Sequence, residues 1–419
     1  MDDSIFGDRE SNVRSYCRSF PDVFCHAKGS ILYNEAGQAY IDFLSGAGAL
    51  NYGHNNDYIK QKILSYLESD GISHSLDMYT TAKRAFLHAF TKTILEPRNL
   101  DYKVQFCGPT GANAVEAALK LARKVKHRPG IFSFMGAYHG ASLGSLAVSG
   151  DLASRAGAGV SLPDVTFFPY PGSLLPQIDA ISYIEAVLAD PYSGIEKPAA
   201  VIVEAVQAEG GVMVAPIAWM QQLRTICDQH DILLICDDIQ VGCGRTGSFF
   251  SFERSGIIPD LVVLSKSISG YGMPMALLLM KPELDIWQPG EHSGTFRGYQ
   301  LSFIGATAAL EYRDMCAIDS QVKRKERYIE NFLASEILPL HKDICVRGVG
   351  MIWGIDFSQL KVVGVARRIS ADCFEAGLII ECVGRNDSVL KILPSLTIEE
   401  ELLQRGCMIL KRAIEDAIL

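Results

Sequence analysis

The sequence lacks the marks of several large classes of protein. Its 39 Lys and Arg are outnumbered by 48 Asp and Glu, for a net charge of −9, and no segment supplies the basic patch typical of nucleic-acid binding. The longest apolar run, Met273–Met280, is far shorter than the roughly 18 residues that indicate a membrane span. The 11 cysteines include no CxxC pair, which excludes zinc-ribbon and thioredoxin-type sites. We therefore expect no contact with nucleic acid or membranes and no metal site.

The composition is that of a globular protein. Hydrophobic residues make up 48% of the 419 positions, enough to bury a large core, which excludes a disordered chain. Residues Met1–Glu10 show no apolar segment of a secretory signal, and scattered cysteines are usual in a reducing compartment. The expected location is therefore the cytoplasm, with the thiols reduced.

Short apolar runs alternate with helix-period segments through most of the chain. Several runs are continuous Val, Ile and Leu, which is typical of strands buried on both faces. The predicted strands are Lys103–Cys107, Ile131–Phe134, Ala200–Val203, Ile232–Cys236, Leu261–Leu264 and Ala276–Met280. Helical patterns cover Ala112–Lys126, Asp179–Leu188 and Ile217–His230. This alternation predicts an α/β domain with a mainly parallel sheet.

The pattern changes after about residue 300. Helical periodicity over Leu301–Arg313 and Ser320–Leu340 is followed by strand signals at Met351–Phe357, Leu378–Cys382 and Val389–Leu393. We predict three segments: an N-terminal arm or part of the small domain over residues 1–50, a large domain over 51–298, and a smaller α+β domain over 299–419.

Polar side chains follow four of the predicted strands. Tyr138 and His139 come after the strand ending at Phe134, Glu204 after Val203, Asp237 after Cys236, and Lys266 shortly after Leu264. Ligands of an open parallel sheet bind beyond the carboxyl ends of its strands. Together these residues predict a site at one edge of the sheet.

Asp237 and Lys266 give this site its chemistry. A carboxylate that ends a buried strand needs a cationic partner, and the protonated ring nitrogen of pyridoxal phosphate (PLP) is a suitable one. A lysine desolvated at a neighbouring strand end has a lowered pKa, which favours imine formation. Taken alone, Lys266 is more often a lysine that reaches solvent; beside Asp237, it predicts a PLP-binding lysine.

A phosphate-binding turn is also predicted. Residues Cys107–Asn113 follow a strand and open a helix, where exposed N–H groups and the helix dipole favour an anion. Thr110 adds a hydroxyl group. The alternative is an ordinary strand–helix turn in which Thr110 or Asn113 caps the helix.

With these motifs, the sequence resembles the class III aminotransferases, which are PLP-dependent enzymes of fold-type I. Residues Leu233–Gly247 are similar to the class signature, and the Ser265-Lys266 pair lies at the expected distance from it. Three further segments, Gly46–His54, Gly108–Glu116 and Gly294–Gly298, are similar to the diaminobutyrate–2-oxoglutarate subgroup. The resemblance covers nearly the whole chain. It implies a large domain with a mainly parallel, seven-stranded sheet flanked by helices, and a smaller α+β domain.

The resemblance also implies a role for each candidate residue. Lys266 would hold PLP covalently and move the substrate proton, while Asp237 would pair with the pyridine nitrogen. Thr110 and Gly111 would bind the phosphate, Tyr138 and Ile239 would cover the two ring faces, and Gln240 would contact the ring hydroxyl. Glu204 would support the site from behind Asp237 and Gln240, and His139 would be a further cofactor-binding residue. Thr295 would reach the phosphate of the neighbouring subunit. The active unit would therefore be a homodimer.

Two departures from the family pattern concern binding. Many members have Ser where this chain has Thr110 and an acid where it has Asn113; the hydroxyl group is kept. Members that use ornithine or 4-aminobutyrate grip the glutamate carboxylate with an arginine, whereas this chain offers Lys391, a point charge rather than a bidentate fork. Glu209 would mask that cation when the ω-amino substrate enters. The alternative for Glu209 and Lys391 is an ordinary exposed ion pair.

The implied reaction moves an amino group from L-glutamate to L-aspartate 4-semialdehyde, giving L-2,4-diaminobutyrate and 2-oxoglutarate. Other class III enzymes, acting on ornithine, 4-aminobutyrate or a polyamine, share the cofactor residues. A glutamate-semialdehyde aminomutase shares them too, but needs no external amino donor. A non-catalytic PLP-binding scaffold is the alternative outside enzymes.

Overall fold

The computed structural model describes residues 4–173 and 178–418. Its strands, in chain order, are β1 (Phe24–Lys28), β2 (Ile31–Asn34), β3 (Ala39–Asp42), β4 (Lys103–Phe106), β5 (Ile131–Phe134), β6 (Val165–Phe168), β7 (Ala200–Val203), β8 (Val206–Gln207), β9 (Met213–Val214), β10 (Leu233–Asp237), β11 (Leu261–Leu264), β12 (Leu277–Met280), β13 (Cys345–Val349), β14 (Ile352–Asp356), β15 (Leu378–Ile379), β16 (Glu381–Val383) and β17 (Val389–Ile392).

Its α-helices, in chain order, are α1 (Ser4–Arg9), α2 (Tyr16–Ser19), α3 (Ser45–Gly48), α4 (Asp57–Glu68), α5 (Thr81–Phe90), α6 (Gly111–Lys126), α7 (Leu143–Ala147), α8 (Leu152–Ala156), α9 (Ala180–Ala189), α10 (Ile217–Gln229), α11 (Gln300–Met315), α12 (Ile318–Phe332), α13 (Val365–Glu375) and α14 (Glu400–Ile418). Across both described ranges, none of them is long and apolar enough to cross a membrane.

The largest sheet among the described residues has seven strands in the order β4-β12-β11-β10-β7-β5-β6. Strand β10 is parallel to β7 and β11, and β5 is parallel to β6 and β7. Only β12, of these seven, runs against its neighbours β11 and β4. The predicted mainly parallel sheet is confirmed. Its parallel strands β5, β7, β10 and β11 all end at the same edge.

The apolar runs form central strands because both faces of this sheet are covered. Successive side chains of a strand point to opposite faces. In β10, Leu234 and Cys236 join one core while Leu233 and Ile235 join the other. Helix α6 covers the second face through residues that include Val115 and Leu119. Because both faces are packed against other elements, a cavity next to this sheet lies at its edge rather than on either face.

The C-terminal third builds a second core. Strands β13, β14, β17 and β16 form an antiparallel sheet, and α12, α13 and α14 contribute to the same core. Ile41 and Phe43 from the N-terminal part lie in this core too, and β3 pairs with β15. The division at residues 50 and 298 stays a prediction, and residues 1–3, 174–177 and 419 of its segments lie outside the described ranges.

Two predicted elements differ from the structure. The single strand predicted at Leu378–Cys382 is two strands, because the chain passes from one sheet, where β15 pairs with β3, to another, where β16 pairs with β17. The long helix predicted over Ser320–Leu340 ends as α12 at Phe332 and continues as a π turn and a 3₁₀ turn. Pro339 lies in that last turn and has no N–H group to continue a helix.

Candidate active site

The strand ends predicted to form a site do meet at one cavity. Its volume is about 240 Å³, and it lies at the carboxyl edge of the large sheet. The lining residues are Gly111, Ala112, Tyr138, His139, Gly140, Ala141, Glu204, Val206, Ala208, Glu209, Asp237, Ile239, Gln240, Val241 and Lys266. Nine of the twelve predicted site residues are therefore in this lining; Thr110, Thr295 and Lys391 are not.

Asp237, the last residue of β10, is held by two contacts. Its Oδ2 atom lies 2.7 Å from Nδ1 of His139, and its Oδ1 atom accepts a hydrogen bond from the Ile239 amide at 3.1 Å. Burial lowers the pKa of His139, but the Asp237 carboxylate outweighs burial and raises that pKa overall. The other ring nitrogen of His139, Nε2, is buried without a hydrogen-bond partner among the described residues. The carboxylate thus stays oriented, with an anionic face turned to the cavity.

Glu204 follows β7 and lies behind the same part of the cavity. Its Oε1 atom accepts a hydrogen bond from the Tyr138 amide at 3.0 Å. Burial raises the pKa of Glu204 to about 8, with Asp237 adding to the rise and His139 opposing it. Glu204 therefore holds a proton at neutral pH, so Asp237 supplies the negative charge at this end. The Tyr138 ring is 42% exposed and borders the cavity mouth.

Lys266 begins a 3₁₀ turn just after β11. Its backbone φ is +50°, a left-handed conformation that is strained for lysine and that turns the side chain into the cavity. Burial lowers the pKa of its amine, although the Glu209 carboxylate opposes this. Nζ makes no hydrogen bond or ion pair with any residue in the described ranges. The result is a half-buried amine that borders the cavity and has a raised neutral fraction.

The start of α6 has the cap that the alternative for this turn describes, and its binding of a phosphate group stays a prediction. The Thr110 hydroxyl caps the helix by accepting from the Asn113 amide at 3.2 Å, and Oδ1 of Asn113 accepts from the Gly108 amide at 2.7 Å. Gly111 lies so close to Ile239 that a Cβ added there would be 2.9 Å from the Ile239 Cδ1 atom. Thr110 therefore caps α6 beside the cavity. At position 111, only glycine fits without a shift of Ile239.

Lys391 is not in an exposed ion pair, so that alternative was wrong. The lysine on β17 is fully buried, and Nζ lies 2.7 Å from Oε1 of Glu209 and 2.9 Å from Oε1 of Gln240. Gln240 also donates to Glu209 at 3.0 Å. Burial works against both charges, but the pair outweighs it: the pKa of Glu209 falls to about 2, and that of Lys391 rises. Glu209 lines the cavity, and Lys391 lies buried directly behind it.

Two residues of this region were not predicted from the sequence. Glu381 on β16 lies 2.9 Å from Nζ of Lys391, and it is the direct cross-strand neighbour of that lysine. Tyr16 of α2 faces the same charges: burial, then Glu381 and Glu209, raise the pKa of its hydroxyl group. Only the pairing of β16 with β17 and the path of the N-terminal arm reveal them. The available sequence signal was that Glu381 is a charged residue within the otherwise apolar run Leu378–Cys382.

Thr295 lies on an exposed loop and does not reach the cavity of its own chain. Its predicted partner is the phosphate at a neighbouring subunit, and that role stays a prediction.

A lysine and an aspartate at the ends of the neighbouring strands β11 and β10 face one cavity, and this arrangement fits the PLP-dependent enzymes of fold-type I. Residues 17–414 match the family described as aminotransferase class-III, so the chain belongs to that family. A curated relative from Bordetella parapertussis, named diaminobutyrate–2-oxoglutarate transaminase, is 54% identical and covers 100% of this chain and 96% of the relative. One of the same name from Streptomyces coelicolor is 51% identical and covers 99% and 98%.

Solved structures confirm the fold. An ornithine aminotransferase from Toxoplasma gondii has a TM-score of 0.86 at 22% identity and covers 99% of this chain and 94% of that chain. A taurine:2-oxoglutarate aminotransferase from Bifidobacterium kashiwanohense has a TM-score of 0.84 at 24% identity and covers 95% and 94%. The expected fold-type I architecture and the expected class of enzyme are both confirmed.

Proposed function

We propose that this enzyme transfers the amino group of L-glutamate to the aldehyde carbon of L-aspartate 4-semialdehyde, forming L-2,4-diaminobutyrate and 2-oxoglutarate. The observation that carries the aminotransferase chemistry is the unpaired Lys266 amine sharing one cavity with the Asp237 carboxylate. The choice of acceptor is supported by relatives at 49–54% identity over at least 98% of this chain, which carry the corresponding name.

The residues lining the cavity fit PLP. Asp237 offers an oriented carboxylate to a protonated ring nitrogen, and the Gly111 amide at the start of α6 suits the phosphate group. Ile239, packed against Gly111, and Tyr138 would cover the two ring faces, and Lys266 would bind the aldehyde carbon. When bound, PLP supplies an electron sink for the electron pair left on the substrate Cα after deprotonation.

Lys266 would then act as the base. Burial lowers the pKa of its amine, so Nζ is neutral over a wider pH range than a free lysine and can accept the proton from the substrate Cα. The same Nζ, once protonated, returns that proton. His139 keeps the Asp237 carboxylate in place through the 2.7 Å contact while the charge at the active site changes.

Lys391 would bind the α-carboxylate of glutamate in the first half-reaction. In the structure, Oε1 of Glu209 lies 2.7 Å from Nζ of Lys391. Glu209 must therefore move away before a substrate carboxylate can bind the lysine. With Glu209 returned, the lysine is masked and the acceptor enters. Such an exchange lets one cavity accept two substrates that differ in charge next to the reacting carbon.

We also propose a homodimer in which Thr295 of each chain reaches the phosphate group at the active site of the other. A further proposal is that the chain divides into three segments at residues 50 and 298. A cytoplasmic location is supported by the cysteines, all of which are free.

The test is a coupled assay with purified enzyme, PLP, L-glutamate and a panel of ω-aldehydes. Formation of 2,4-diaminobutyrate with the highest kcat/KM of the panel supports the proposal. A higher kcat/KM with the semialdehydes of glutamate or succinate instead contradicts the acceptor, and turnover without any amino donor indicates an aminomutase.

A further inference from the structure

Lys391 has two acidic partners rather than one. We name Glu209, Glu381 and Lys391 the acid–lysine cluster. Nζ of the lysine lies 2.7 Å from Oε1 of Glu209 and 2.9 Å from Oε1 of Glu381. Lys391 is fully buried and Glu381 is 7% exposed, so water screens little of this cluster's charge.

The two acids differ in their freedom to move. Glu381 lies within β16, in register with Lys391 on β17, and its side chain is packed inside the fold. Glu209 lies in the turn between β8 and β9, lines the cavity and has a side chain that is 27% exposed. The exchange that admits a substrate carboxylate therefore moves Glu209 and leaves Glu381 beside the lysine.

Glu381 consequently lowers the charge of the cluster by one in both arrangements. With Glu209 in place, the ionised cluster carries a net charge of −1, and with Glu209 turned away, it is neutral. Without Glu381 the two values would be 0 and +1. A closed cluster with a net negative charge attracts a cation and repels an anion that enters the cavity.

We propose that Glu381 is a specificity-determining residue: its charge favours an aldehyde substrate that carries an ammonium group over an aldehyde of equal length that carries only a carboxylate. The inference rests on the proposed function. L-Aspartate 4-semialdehyde and succinate semialdehyde form the matched pair, because both have four carbons and they differ only in the α-ammonium group.

Other charged or titratable groups also face Glu381. They are Lys391 on β17, Glu209 after β8, Lys266 after β11, and Tyr16 of the N-terminal arm. Burial raises the pKa of Glu381, and Lys391 opposes that rise. The ionised form is therefore best populated on the alkaline side, and the assay belongs at about pH 8.5.

The experiment compares kcat/KM for the two aldehydes in wild-type enzyme and in Glu381→Gln, which keeps the shape and removes the charge. We expect the ratio of aspartate semialdehyde to succinate semialdehyde to fall about tenfold, and the KM for glutamate to fall, since the open cluster gains one positive charge. Glu381→Asp keeps the charge and should stay within about threefold of the wild-type ratio. Glu336→Gln, which breaks a part-exposed ion pair with Lys411, is the matched control.

An unchanged ratio in Glu381→Gln, even with a lower melting temperature, would mean that the residue is only structural and would overturn the inference. A wild-type enzyme that aminates neither aldehyde would instead overturn the proposed function. Should Glu381→Gln fail to fold, Glu381→Thr, which also removes the charge and suits a strand, takes its place. The ratio should fall in that variant as well, and an unchanged ratio contradicts the inference.

Discussion

Nδ1 of His139 lies 2.7 Å from Oδ2 of Asp237, and both side chains are buried. This contact joins the loop after β5 to the end of β10, two strands that are separated in the sheet by β7. The contact fixes the orientation of the Asp237 carboxylate. Among the described residues near Glu204, Asp237 supplies the negative charge to the cavity, because Glu204 is protonated at neutral pH.

Loss of that contact should weaken catalysis. In His139→Phe the Asp237 carboxylate loses a hydrogen bond to a charged group, which contributes about 1.5–3 kcal/mol, so we expect kcat/KM to fall about tenfold to a hundredfold. His139→Asn, whose amide nitrogen takes the place of Nδ1, should recover part of the loss. Steady-state kinetics with glutamate measure both, and equal activities in the two variants would contradict the role of the contact.

The Gly111 position should decide how tightly the cofactor binds. In Gly111→Ala the new Cβ lies 2.9 Å from Cδ1 of Ile239, so Ile239 must shift from its place in the cavity lining. We expect the Kd for PLP to rise about tenfold, and the double variant with Ile239→Val, which lacks that carbon, to recover part of it. Titration of the apoenzyme with PLP measures both. Gly7→Ala, which meets no atom within 4 Å, is the control, and no change in Gly111→Ala would refute the phosphate-binding turn.

Removal of Lys391 should affect the two substrates unequally. In Lys391→Ala the glutamate carboxylate loses its cation, and we expect the KM for glutamate to rise at least about tenfold while that for the semialdehyde changes far less. Lys411→Ala, at a part-exposed ion pair, is the control. Equal increases for both substrates would remove the carboxylate-binding role.

The raised pKa of Glu204 should appear in the stability of the apoenzyme. The folded chain keeps this proton up to about pH 8, whereas the unfolded chain releases it near pH 4.5. The folded state then binds more protons between these values, so the contribution to stability is complete below pH 4.5 and is lost as the pH rises to about 8. In Glu204→Gln, the free energy of unfolding should fall by a few kcal/mol less over this pH range, which is the order of magnitude set by the pKa shift of Glu204.

Urea unfolding of the apoenzyme at about pH 5 and about pH 8 measures the effect. Glu185→Gln, an exposed glutamate on α9, should leave the decline as it is in the wild type. A Glu204→Gln protein with the wild-type decline would show that the carboxyl group does not hold that proton.

The sequence predicted three strands of the large sheet to the residue. The bounds of β5, β7 and β11 match the predicted runs, because strands buried on both faces need continuous apolar sequence. Strand β13 was not predicted, since Arg347 and Gly348 interrupt its apolar pattern at the edge of a half-exposed sheet.

The candidate site was predictable where it depends on strand ends. Asp237 is the last residue of β10 and Lys266 lies two residues beyond β11, and a parallel sheet brings such ends together. Glu381 was not predictable, because its role depends on which residue of β17 lies opposite it. That pairing register is a property of the folded sheet. From sequence alone, the run Leu378–Cys382 predicts a single strand.

The attachment of the cofactor to Lys266 is the claim on which the other roles depend. Borohydride reduction of the PLP-loaded enzyme, followed by mass mapping of its peptides, locates the modified lysine directly. We predict a phosphopyridoxyl mass on the peptide that contains Lys266. In Lys266→Ala, both this label and turnover should be lost. The same label on another lysine, or full activity in Lys266→Ala, would contradict the account.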